Sequence, residues 1–118
     1  MRRIPLFMSL QDTFNNVKTI NASSAAQAYT ALPTDDIIMT VTGATGLTVT
    51  ITLPDAVKNK GKLLLIKMIT DGGADTVVSG SGGQTIDGSA SLSLTAATSY
   101  LYIFSDGSNW RSIIKSLA

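Results

Sequence analysis

Cysteine, histidine and glutamate are all absent from the 118 residues. Without cysteine there is no disulfide framework, thiolate nucleophile or thiolate metal site. Losing histidine removes the commonest general base and the imidazole metal ligand. Aspartate is the sole side-chain carboxylate, so two-carboxylate chemistry depends on how eight aspartates are placed. Charge is scarce too: 14% of residues are charged and the net charge is +1, with no basic run interleaved with aromatics, which argues against a nucleic-acid partner. No apolar stretch approaches the roughly 20 residues of a membrane-spanning helix, so no membrane partner is expected. The opening Met-Arg-Arg-Ile-Pro-Leu-Phe-Met superficially resembles a secretory leader, but Pro5 interrupts a short apolar stretch and no small-residue cleavage site follows.

What is present is alternation. Residues 47–53 read Leu-Thr-Val-Thr-Ile-Thr-Leu before Pro54, placing branched apolar side chains on one face of an extended chain and threonine hydroxyls on the other. Strands are expected over 36–42, 47–53, 62–69, 75–79, 84–86, 91–95, 99–104 and 109–115. They are separated by turn-formers such as Gly43-Ala-Thr-Gly46, Asp71-Gly-Gly73, Gly80-Ser-Gly-Gly83, Asp87-Gly88 and Asp106-Gly107. Short strands at this spacing predict a single all-β domain, an antiparallel sandwich or small barrel, over 29–118. Residues 1–28 lack sustained alternation and read as an extended N-terminal arm with at most a turn or two of helix.

Two strands break the in/out rule. In 62–69, Leu64, Ile66 and Met68 lie opposite Leu63, Leu65 and Ile69; in 99–104, Leu101 and Ile103 lie opposite Tyr100, Tyr102 and Phe104. A strand apolar on both faces needs cover on both. One solution is a central strand inside a single sandwich. The other is a neighbouring copy of the chain, expected as a trimer, and a one-domain chain has few other layers to offer. Leu63, Leu65, Ile69, Tyr100, Tyr102 and Phe104 are therefore the expected subunit interface.

No catalytic, cofactor-binding or metal site is expected. Asp35-Asp36 is the one adjacent carboxylate pair, but neighbours in a strand face opposite ways and cannot flank one bond. Asp71 and Asp75 fall short of the six to eight oxygens a calcium ion takes, and Gly80–Gly83 lacks the Lys-Ser/Thr and helix of a phosphate loop. Lys58, Lys60 and Lys62 read as a solvated edge, and Trp110 as a core plug. The arm is the stronger candidate: Arg2 and Arg3 precede Ile4, Leu6, Phe7 and Met8, apolar groups with no periodic partners of their own. Burying those four contributes about 6–12 kcal/mol. Ordering about ten residues costs roughly 10–20 kcal/mol. Burial alone does not hold the arm, so it is expected to dock on a partner or sister subunit with added contacts such as strand addition to a sheet edge.

From Tyr29 to Trp110 the chain resembles a small β-domain that recurs in fibre and surface proteins of tailed bacteriophages. The resemblance lies in Tyr29-Thr-Ala-Leu-Pro-Thr-Asp-Asp36 before a hydrophobic strand, Val49-Thr-Ile-Thr-Leu-Pro54, Gly61-Lys62 with Ile66-Lys67, Gln84-Thr-Ile-Asp-Gly88 and Ser105-Asp-Gly-Ser-Asn-Trp110. It implies a structural, trimeric virion protein without catalytic residues or cofactor, made in the host cytoplasm and carried on the particle surface. In longer fibres the module is one bead near the end; here it is nearly the whole sequence, which shifts the expectation toward a capsid decoration or head-fibre protein contacting the major capsid or another virion protein through its arm. The rival expectation is a tail-fibre tip that recognises host glycans through Tyr100, Tyr102 or Trp110. A depolymerising glycan hydrolase is disfavoured by the lack of paired carboxylates.

Overall fold

The computed structural model describes residues 16–117, which form nine strands and no helix. In chain order these are β1 (Val17–Asn21), β2 (Gln27–Thr30), β3 (Ile37–Val41), β4 (Val49–Thr52), β5 (Leu63–Thr70), β6 (Thr76–Ser79), β7 (Ser91–Leu94), β8 (Tyr100–Ser105) and β9 (Trp110–Ser116). They make two facing sheets, ordered β1-β3-β5-β8-β9 and β2-β4-β6-β7. The all-β, sandwich-like architecture agrees with the alternation in the sequence.

The expected antiparallel pairing is corrected. β1/β3, β3/β5, β2/β4 and β4/β6 are parallel, and β5/β8, β8/β9 and β6/β7 are antiparallel. Through β6 the chain crosses to the opposite sheet after every strand, so each strand lies beside the next but one and runs the same way. The turn residues announced a corner; they carried no information on which sheet the chain entered next. Those corners stack. A Cβ on Gly72 would lie 2.6 Å from the Gly43 backbone, and one on Gly43 would lie 2.8 Å from the Ala22 carbonyl oxygen, so successive corners demand small residues. After β6 the winding ends: β7 returns antiparallel beside β6, the chain crosses once more to β8, and β9 returns antiparallel beside β8.

Residues 17–28, read from sequence as part of the arm, instead include β1 and the start of β2, edge strands of the two sheets. The segment 84–86 forms no strand: Ile86 makes isolated bridges to Ser89 and Trp110. The tight turn beside it is present, with Asp87 and Gly88 at φ 51 and 86, the left-handed pair a two-residue hairpin turn requires.

The core lies between the sheets. Ile38, Leu64, Ile66, Met68, Leu101 and Ile103 project from one side, and Val49, Ile51, Val78 and Leu94 from the other, all fully buried. Trp110 plugs one end of this layer, as the sequence suggested, with its indole N–H donating to the Pro54 carbonyl at 3.2 Å. Thr40 and Thr76 meet across the layer, hydroxyl to hydroxyl at 2.7 Å.

Candidate functional site

The five-stranded sheet has a second face, turned away from the core. Strand register defines a row across its whole width: Val17 of β1 pairs with Ile37, Ile37 with Leu65, Leu65 with Tyr102 and Tyr102 with Ile114. Every member is apolar or aromatic. Leu63 and Phe104 pair on one side of the row, and Met39, Lys67 and Tyr100 align on the other. Of the six residues expected at a subunit interface, Leu63, Leu65, Tyr100, Tyr102 and Phe104 share this outer face, each half-buried by its neighbours. Ile69, next to last in β5, is the residue skipped at the register shift against β3 and is 40% exposed.

The sequence did not single out Val17, Ile37, Ile113 and Ile114. Val17 fell inside the supposed arm, and the two isoleucines are adjacent, which alternation would send to opposite faces. A register shift in β9 opposite Tyr102/Ile103 changes that, leaving Ile113 and Ile114 exposed at 49% and 56%. The Ser-Ile-Ile-Lys run was the available signal. Near the middle of the face, Asp36, Ile37, Leu63, Leu65 and Tyr102 line a cleft of about 100 Å³.

Charges at the margins are locked in local pairs. Lys62 Nζ lies 3.0 Å from Asp36 Oδ1, so it leaves the solvated lysine edge inferred from sequence. Arg111 contacts Asp106 at 2.9 Å and Lys115 contacts Asp87 at 2.8 Å. Backbone N–H donation from Asn109, aided by Arg111, holds the Asp106 carboxyl down at about 2. The Lys115 ammonium, with the Ser112 hydroxyl and N–H, holds Asp87 down at about 2. Within the face, Lys67 lays its ammonium 5.6 Å from the centre of the Tyr100 ring. Such a contact keeps the charge while covering apolar ring surface.

Asp35, Asp36 and Asp71 have structural work. Asp35 is 3% exposed and accepts from the Tyr29 hydroxyl at 2.6 Å and the Leu32 N–H at 2.9 Å. Burial, then that bond, pushes the Tyr29 hydroxyl up to about 12. Asp36 turns instead to Lys62, so the adjacent pair serves two separate partners. Asp71 accepts from the Gly73 N–H within its own turn. Among the described residues no group of three acidic side chains is placed to hold a metal. The arm residues Arg2, Arg3, Ile4, Leu6, Phe7 and Met8 lie outside the described residues.

No family model, curated protein or solved structure matches the chain.

Proposed function

We propose that this chain is a structural virion protein, a bacteriophage capsid decoration or head-fibre protein, held to the particle by its N-terminal arm and assembled as a homotrimer. The observation that carries this reading is the apolar row spanning the outer face of the five-stranded sheet. With strands about 4.8 Å apart and outward residues about 6.8 Å apart along them, the face covers on the order of 500–600 Å². That is the upper end of the largest apolar patch on a typical monomer, about 300–600 Å², and patches of that size often serve binding. Such a surface is suited to cover by protein. The carboxylates of Asp35, Asp36, Asp71, Asp87 and Asp106 are meanwhile engaged in turns and ion pairs, an arrangement suited to rigidity. The phage setting rests on the resemblance carried by residues 29–110.

Counting copies per particle tests the role: hundreds support a shell protein, whereas a handful favours the tail-fibre tip. That second reading retains Tyr100 and Tyr102, half-exposed on the apolar face, but loses Trp110, which is fully buried. Deleting residues 1–10 should release the protein from the particle while leaving the body folded; retention at unchanged affinity would refute anchoring by the arm.

A further inference from the structure

The outer face of the five-stranded sheet carries both a recess and the projections that match it. The recess is the cleft of about 100 Å³ walled by Ile37, Leu63, Leu65 and Tyr102 together with Asp36, whose carboxylate is paired with Lys62, with room for one aliphatic side chain. The projections are Ile113 and Ile114 on β9, adjacent and about half exposed. β9 is separated from β5 by β8 alone, so recess and projections sit about 10 Å apart, two strand spacings. One molecule cannot use both on itself, because a rigid sheet holds them side by side facing the same way.

We propose that this face is closed by a second copy of the chain, with Ile113 and Ile114 of one copy seated in the Ile37–Leu63–Leu65–Tyr102 cleft of the next. Three features favour a copy over an unrelated protein. Complementary projections and recess on one surface produce association of like with like, closing into a dimer or ring according to the rotation between copies. The face, counted on two partners, gives on the order of 1,000–1,200 Å², the threshold of a specific interface. The marginal charges Asp36, Asp87, Asp106, Lys62, Arg111 and Lys115 are already paired within the chain, so among the described residues this face offers no unpaired acidic or basic cluster for a charged partner to read. Lys67 remains, and its stem covers the Tyr100 ring.

The inference deepens the structural role proposed above by naming the partner at this face, and the absence of native cysteine makes it directly testable. Ile114→Cys protein and Leu63→Cys protein, made separately, are mixed under mild oxidation. A mixed disulfide is expected, since seating brings these positions within the roughly 7 Å Cα separation a disulfide tolerates. Ser93→Cys, on the outer face of the other sheet, mixed with Ile114→Cys serves as the control and should stay uncrosslinked. In parallel, Ile114→Lys in the full chain should weaken self-association at least tenfold in sedimentation while the unfolding midpoint of the dispersed protein stays unchanged, because the side chain is more than half exposed. A protein that sediments as a single chain at its highest soluble concentration overturns the proposal, as does crosslinking no greater than in the control. Crosslinking in the Ile114→Cys/Leu63→Cys double variant separates this contact from the wider role: a covalent trimer supports both, and a ladder ending at two copies keeps the contact and overturns the threefold assembly. Self-association by a protein missing from purified particles would leave the contact standing and overturn the virion role.

Discussion

Replacing Thr40 with valine should cost more than replacing Thr40 and Thr76 together. The two hydroxyls are fully buried, on β3 of one sheet and β6 of the other, and lie 2.7 Å apart with either able to donate. No buried side-chain nitrogen or oxygen among the described residues lacks a partner, so this pair is satisfied by itself. Thr→Val keeps the shape and exchanges a hydroxyl for a methyl. In Thr40→Val the Thr76 hydroxyl is left in a dry layer, adding a desolvation penalty to the lost bond, for a total of about 2 kcal/mol. Thr76→Val should cost about the same for the same reason. In the double variant both polar groups are gone and the apolar core is continuous, so the net change should fall within about 1 kcal/mol of zero. The coupling between the sites is then about 3–4 kcal/mol, at or just above the top of the usual range for directly contacting residues. Urea unfolding at fixed protein concentration reads it: with a slope near 2 kcal/mol per molar, each single variant should move the midpoint down by about 1 M and the double variant hardly at all. A double variant that loses the sum of the two singles would show that the hydroxyls do not satisfy each other.

Two further outcomes follow from local geometry. Alanine at Gly80 would place its Cβ 2.1 Å from the Gln84 carbonyl oxygen, so backbone must move, at a cost of about 2–3 kcal/mol. Alanine at Gly82 meets nothing within 4 Å and suffers only from its φ of +56, at about 1–2 kcal/mol, so thermal midpoints should rank Gly80→Ala below Gly82→Ala; the reverse order would contradict the contact. Asp87 links the turn to β9, and its folded pKa of about 2 lies below the usual carboxylate value. Its stabilisation is therefore complete above about pH 4 and lost as pH falls toward about 2, worth about 1 kcal/mol after allowance for partial exposure. Asp87→Asn, which tolerates the same left-handed backbone, should remove that component, and stability curves that stay parallel from pH 5 to 2 would rule it out.

Legibility differed by level. The alternations at 36–42, 47–53, 62–69 and 99–104 correspond to β3, β4, β5 and β8 within one or two residues, and the strands apolar on both sides are those whose outer side chains line the candidate face. β1 and β2 were missed because Val17-Lys-Thr-Ile-Asn21 and Gln27-Ala-Tyr-Thr30 are edge strands with largely exposed side chains, and exposed positions impose no alternation. Ile114 was missed because the register shift in β9 breaks the period on which such reading depends.

The existence of β3, β4, β5 and β8 and the doubly apolar character of β5 and β8 were determined by the sequence alone, since side-chain direction along an extended chain repeats every two residues whatever lies beside it. Pairing was decided by tertiary structure. Parallel and antiparallel neighbours impose the same alternation, and the choice here came from corners that stack Ala22, Gly43 and Gly72 and send the chain to the opposite sheet. That same winding brings Val17, Ile37, Leu65, Tyr102 and Ile114, spread over nearly the whole described chain, into one row. Contact between residues so far apart in sequence depends on register, which a local pattern does not encode.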